Sequence, residues 1–581
     1  MPYQKGVSRE QITLMPDVLE DYVSEENPVR VIDAFVERLD MGAHGFKAEA
    51  AVEGRPGYDP RDMLKIYIYG YQNKIRSSRK LQVECGRNVE VMWLTGKLIP
   101  DFRCIADFRK NNAAAIKQVF HAFVTLCNQA GLLSKEFVAI DGSKFRAVNS
   151  EDNAYVKKTV EKNISELDEK ITRYLTELDK NDSGEEKAPN QMTADEIECL
   201  IQHLESRKSR LEGIFDALEK SGENQICTVD PEARLMKTRD GFRTCFNVQT
   251  AVEGNHHLVV DFQVTSEGVD QELLELDVQS AKRALGVDTL ECAADKGYRS
   301  DTQVLRCLLN GDMPNVYTHN KQDCYSFTFE RTNMEATPEM LSSRDPAVVL
   351  QCVYAGVLPD ALKKRGVELK VKKGGSQHLY MDIQTGELVT RAQTLEKINI
   401  KRKKPLSYFF VRNPDTDTVT CPMGQTLIRA GNSHPHEPHY SQNARYTRPS
   451  VCLKCKNKCT AGERRNITFK PGQLERRATF YDDCFSESLM SRTKGKYVPV
   501  LLPNPDKVVL RFYPDYEKLR LRKQLVEHPY GTVKRWNDGS YLLLKGKLKA
   551  SADLALLFLG YNFKRVINLI GTKEMLAMMS A

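Results

Sequence analysis

Phe137-Val138-Ala139-Ile140-Asp141-Gly142-Ser143-Lys144 is the stretch whose reading decides the fold. Four apolar residues in a row, with Phe, Val and Ile among them, read as a buried strand. The run ends in one carboxylate, Asp141, and Gly142, Ser143, Lys144 and Arg146 follow at once. An Asp in that place is either a turn starter or a metal-binding carboxylate held where a sheet meets solvent. The remainder of the chain decides between the two.

A chain of 581 residues is too long for one core, and a prior of about 150 residues per domain predicts three or four units. Hydrophobic content of 41% and charged content of 28% are those of a soluble globular protein. No run of apolar residues reaches the length a membrane span needs. The first residues, MPYQKGVSREQITLMPD, lack the apolar core of a secretory signal, so a cytoplasmic protein with no membrane partner is expected. The net charge of +7 permits a nucleic-acid partner without demanding one. The cation runs at 363–373 and 401–404 are either contacts or solvated surface. Fifteen Cys without a secretory signal predict reduced thiols rather than a disulfide frame.

Residues 1–132 read as helical. Asp59-Pro60 is a cap with proline at the first helical position. Arg76, Arg79, Lys80, Arg87, Arg103, Arg109 and Lys110 line this region. Helix, short turn and helix with exposed Arg fits either DNA docking or a plain helical domain with a solvated face. Residues 133–150 hold the opening strand. Over 151–224, Val156, Val160, Ile164, Leu167, Ile171, Tyr174 and Leu178 step at heptad-like intervals, and a second seam runs from Leu200 to Leu218. This predicts an inserted antiparallel helical hairpin.

Strand chemistry returns over 225–320. Two β-rich runs flank Gly254-Asn255 as a hairpin, and an amphipathic helix spans 269–285. Then Leu290-Glu291-Cys292-Ala293-Ala294-Asp295 is a second short apolar strand ending in Asp. A helix at 301–309 and a strand near Pro314–Thr318 follow. The order is strand, hairpin, helix, strand, helix, strand. It predicts an α/β core with a mixed sheet, arranged like ribonuclease H, in which Asp141 and Asp295 lie side by side and can share a divalent metal.

Residues 321–512 do not continue this sheet. Cys421, Cys452, Cys455 and Cys459 supply four thiolates, with C-x-x-C spacing at Cys452/Cys455. They predict a structural zinc, against reduced surface-loop Cys as the alternative. His434, His436 and His439 lie between as substitute ligands. Residues 513–581 return to helix. Glu527 stands among Arg520, Arg522, Lys523, Lys534 and Arg535, either as a salt-bridge partner or as a third acid. An apolar helix closes the chain.

The contexts of the three acids are AIDGSKFRA, AADKGYRS and VEHPYGTVKR. Together with PDFRCIADFRKNN they resemble the DDE transposases of bacterial insertion sequences. The likeness is greatest to the subgroup with a helical insertion after the first Asp and a Cys-containing insertion before the Glu. It covers about 15 to 570. In that family the Glu lies in a Tyr-x2-Arg-x3-Glu-x6-Lys pattern; Glu527 and Lys534 fit it, while Lys523 stands at the Arg place and Arg520 at the Tyr place.

The resemblance implies catalytic and metal-binding roles for Asp141, Asp295 and Glu527. These would hold two Mg2+, with Mn2+ able to substitute, for in-line phosphodiester chemistry. Lys534 is expected on DNA phosphate near the scissile bond, with Lys144, Lys523, Lys296 and Arg535 as further backbone contacts. The implied activity is cleavage at the ends of the element and strand transfer into target DNA. The implied partners are double-stranded terminal inverted repeats, target DNA and a second subunit in a synaptic dimer. Two rival readings are a catalytically silent DNA-binding regulator and a stand-alone metal-dependent endonuclease.

Overall fold

The structure is a computed structural model, and it describes residues 18–46, 57–182, 193–318, 323–390, 410–413, 416–421, 425–430, 444–455, 463–469 and 496–580. Six helices come first: α1 (Pro28–Arg38), α2 (Pro60–Gln72), α3 (Ser78–Arg87), α4 (Val89–Thr95), α5 (Phe102–Asn111) and α6 (Ala113–Gln129). Their starts are written in the sequence. Asn27, Asp59, Asn88 and Asp101 each accept a backbone N–H of the first turn, which satisfies one of the orphan donors there.

The central sheet is built from β1 (Phe137–Arg146), β4 (Arg234–Thr238), β5 (Gly241–Glu253), β6 (Val259–Thr265), β7 (Glu291–Ala294) and β8 (Met313–Val316). Its order is β4-β5-β1-β7-β8, with β6 also on β5. β1 runs antiparallel to β5 and parallel to β7, and β7 runs parallel to β8. The sheet is therefore mixed, and the crossovers to β7 and from it are α9 (Leu274–Leu285) and α10 (Asp301–Leu309).

β1 does not stop at Asp141. It continues to Arg146 because β5 pairs with it along its whole length, Lys144 opposite Asn247 and Arg146 opposite Cys245. Only the β7 side ends early, at Ala139 opposite Ala293. Asp141 thus sits in mid-strand with one flank paired and the other open.

Two short strands, β2 (Ala154–Val156) and β3 (Gln225–Cys227), pair at the base of the predicted helical hairpin, α7 (Lys157–Asp182) and α8 (Ala194–Ser221). The heptad positions Val160, Leu167, Leu211 and Leu218 form one buried seam, and Ile171, Ile197 and Ile201 another. The segment between β8 and residue 512 forms its own sheets. Tyr325–Glu330, Lys507–Phe512 and Val367–Lys372 make one of three strands; a second three-stranded and a five-stranded sheet lie within the Cys-bearing part.

Three helices finish the described chain, the last a short one at Thr572–Ser580. The closing helix, Tyr516–Gly531, is capped by Asp515 and lies against β1, β7, β8 and β5. The core helix, Lys547–Ile570, is buried without a break from Ala550 to Phe563 and packs on α6, α2 and β6. No single helix among the described residues is long and apolar enough to cross a membrane.

The amino-terminal helices share one hydrophobic core with the sheet and the core helix. Phe123 stacks on Phe563 at 4.3 Å between ring centroids, and Phe35 meets both edge-on. The junction also holds a buried ionic hub. Asp553, on the core helix, accepts from Tyr71 and from Arg76 at 2.7 Å, takes the Leu543 N–H at 3.0 Å, and lies 3.6 Å from Arg109. Arg76 and Arg109, expected to be exposed on either a DNA-docking or a merely solvated face, are both buried. The reason is Asp553: a guanidinium leaves water only where a carboxylate and hydrogen bonds replace it.

Candidate active site

The register of β1 and β7 builds the site. Their last pair is Ala139 opposite Ala293, so Asp141 and Asp295 stand two positions further along two parallel neighbours. Asp295 ends its strand and caps a turn, its Oδ1 accepting the Gly297 N–H at 2.7 Å. Burial pushes the Asp141 carboxyl up, Arg522 opposes the shift, and the negative charges of Asp295 and Asp270 add to it; the outcome is about 6. Burial, more than the neighbouring acids, outweighs the Arg522 charge and keeps this carboxyl raised.

Side chains alternate along β1, and the two faces differ in their partners. Asp141 and Ser143 face the closing helix. Arg522 Nη1 lies 3.2 Å from Asp141 Oδ1, with the side chain only 12% exposed, and neither its Nε nor its Nη1 makes a hydrogen bond. Tyr530 is anchored beneath: its hydroxyl lies 2.9 Å from the carbonyls of Asp141 and Val248 and accepts from Thr250 at 2.9 Å. Lys534 donates to Ser143 Oγ at 2.6 Å and to the Lys144 carbonyl at 2.7 Å, and it rides on the Phe145 ring. Burial lowers the Lys534 ammonium to about 8.

The other face of β1 carries Gly142 and Lys144, and here the loop before α9 brings in Asp270. Its Oδ1 accepts from Asn247 at 2.6 Å and Gln249 at 2.8 Å and lies 3.7 Å from Lys144 Nζ. Gly142 is required by this approach: a Cβ there would lie 2.7 Å from Asp270 Oδ1 and 2.6 Å from Gln249 Nε2. Gly297 is similarly crowded, its Cβ position being 2.9 Å from Asp295 Oδ1 and 3.5 Å from Asp270 Oδ2. Tyr298 donates to Gln249 and ties the Asp295 turn to β5.

The structure therefore brings together Asp141, Asp295, Lys144 and Lys534 of the predicted residues, and adds Asp270, Arg522 and Tyr530. It leaves the others outside. Glu527 is one residue beyond the buried Val526, its side chain is 67% exposed, and its ion pair is with Lys523 at 3.8 Å. Lys296 and Arg535 are exposed. A sequence signal existed for Arg522: Leu519, Arg522, Val526 and Tyr530 step by 3, 4 and 4, the spacing of one helix face.

Of the predicted zinc ligands, Cys421 and Cys452 pack against the same small core, that of Val419, Leu427, Tyr446 and their neighbours. The Cys455 N–H donates to the Cys452 carbonyl at 3.4 Å, and Cys459 lies outside the described residues. Among the described residues no three His, Cys, Asp or Glu side chains are grouped so as to hold a metal ion.

Neither a curated protein nor a solved structure matches this chain. Residues 17–111 match the family model described as a transposase domain (DUF772). That segment covers α1 to α5, so the chain carries a transposase domain at its amino-terminal end, and such a domain implies DNA as its partner.

Proposed function

We propose that this chain is a DDE transposase with a ribonuclease-H-like catalytic core, cutting DNA at the ends of its element and joining them to a target. The observation that carries the reading is the placement of Asp141 and Asp295 at equivalent positions of two parallel neighbours, in a chain whose amino-terminal helices match a transposase domain. The carboxylates fit a divalent ion such as Mg2+: they are hard oxygen donors, held close enough that Asp295 raises the Asp141 pKa. Their nearest cation, Arg522, faces Asp141 without a hydrogen bond from Nε or Nη1. In this reading Asp141 and Asp295 would hold the metal, with Glu527, now paired with Lys523, as the third carboxylate. Bound metal ions would stabilise the attacking and leaving oxygens of an in-line displacement.

The protein's own groups do the rest. Tyr530 fixes the closing helix against the Asp141 carbonyl and so sets where Arg522 and Glu527 stand. Lys534, braced on Ser143 and Phe145, presents a cation beside the acids for a phosphate oxygen. The helical hairpin and the amino-terminal helices favour a paired-end dimer over a stand-alone nuclease. The Cys421, Cys452, Cys455 and Cys459 set is proposed to hold a structural zinc. Zinc analysis of the purified protein tests that, and a metal-free protein refutes it.

The function is tested by incubating the protein with labelled copies of its element ends and Mg2+. Cleavage followed by joining to a target plasmid is expected, with both steps lost in Glu527→Ala. Cleavage without joining would favour the endonuclease reading, and specific binding without cleavage the regulator.

A further inference from the structure

The π-helical turn Thr532–Trp536 that continues the closing helix, with the loop behind it, carries a surface that the catalytic reading does not use. Trp536 follows Lys534 and Arg535 and is 67% exposed, although a large aromatic normally buries most of its area. Lys74, from the turn after α2, lies over the indole at 4.8 Å from its centroid. Tyr541, 42% exposed, lies in the same loop. Its backbone bridges to Arg146 at the end of β1, the Arg146 N–H donating to the Ser540 carbonyl and the Leu542 N–H to the Arg146 carbonyl.

Arg76 pins this loop from inside. It donates to the carbonyls of Asp538 and Tyr541, with its guanidinium 5.0 Å from the Tyr541 ring centroid. The aromatic surface is therefore fixed at both ends: by β1, which carries Asp141, and by the segment that matches a transposase domain. Exposed cations flank it at Lys74, Arg146, Arg535 and Lys545.

Exposed rings beside cations, on backbone tied to β1 and to Arg76 and close in sequence to Lys534, have the composition of a base-stacking platform with an electrostatic rim. We propose that Trp536, supported by Lys74 and neighboured by Tyr541, stacks on an unpaired base of the DNA strand that runs along β1 from the acids. The preference is for unpaired rather than fully paired DNA, because an indole face stacks on a base only when the base has left its own stack. This inference rests on DNA being the substrate of the acidic site.

Two tryptophans, Trp93 and Trp536, are present in the chain, so the Trp93→Phe variant reports on Trp536 alone. Two probes are titrated into it: a duplex oligonucleotide with a single-stranded thymidine tail, and the same duplex fully paired. Quenching of the indole emission by the tailed probe and not by the blunt one is expected. In the otherwise native chain, Trp536→Ala weakens binding of the tailed duplex by about tenfold, the scale of one stacked base, and leaves the blunt duplex nearly unchanged. Trp536→Phe restores most of the loss. Equal effects on both probes, or no quenching, overturn the platform while cleavage by the native protein leaves the catalytic reading standing. Failure of the native protein to bind either probe overturns both.

Discussion

Replacing Asp553 by Asn tests whether the junction between the transposase-domain helices and the sheet depends on one charge. Asp553 is fully buried on the core helix and is shared by Arg76, Arg109, Tyr71 and the Leu543 N–H. The Asn side chain keeps the shape but removes the only carboxylate that either guanidinium contacts among the described residues. Two buried cations are then left without a counter-charge, and breaking a buried pair in this way costs about 3–5 kcal/mol. The assay is denaturant unfolding, with near-ultraviolet dichroism reporting the tertiary packing, for Asp553→Asn, Arg76→Met and the double variant. Each single change is expected to shift the midpoint strongly. The double variant should lose less than the sum, because the second substitution removes a charge that the first had stranded. Loss of less than about 1 kcal/mol in Asp553→Asn, the scale of an exposed ion pair, would refute the hub, as would strict additivity.

Three other outcomes follow from the site. Because burial holds Lys534 at about 8, well below the ordinary lysine value, its charge is present below that pH and is lost as pH rises through it. DNA affinity at constant ionic strength should therefore fall between pH 7 and pH 9 in the native protein and stay level in Lys534→Arg. Tyr530→Phe removes the hydroxyl that meets Thr250 and the Asp141 and Val248 carbonyls, and stranding buried polar partners costs about 1–3 kcal/mol; unfolding measurements and a lowered cleavage rate check this together. Asp270→Ala should reduce cleavage while leaving DNA binding intact, since Asp270 crowds Gly142 and the Asp295 turn and is bonded to Asn247 and Gln249; a rate equal to native would remove it from the site.

The parts of the fold that repeat a local pattern were legible in the sequence. The apolar run of β1, the heptad seam of α7 and α8 and the apolar core helix each declare themselves within their own residues. The neighbouring of β1 and β7, which sets Asp141 beside Asp295, was legible only through the sheet arrangement that the order of elements suggested. The extent of β1 was not legible, since Gly142 and Ser143 look like a turn until β5 pairs with them.

The burial of Arg76 and Arg109 was equally hidden: it depends on an acid more than four hundred residues away. Asp270 lies in the loop before α9, where nothing local distinguishes it. Arg522 was hidden among equal cations, although the apolar residues spaced three and four from it mark the face it shares. The same spacing puts Glu527 one step off that face, which is why its neighbour in this structure is Lys523.

Whether Asp141 and Asp295 act as one site is measured most directly by Mg2+-dependent nicking of the element's own end sequence by the native protein, Asp141→Ala and Asp295→Ala. Nicking by the native protein, abolished by chelation and by either substitution while end binding persists, is the result predicted here. Native-level nicking by either variant would contradict it.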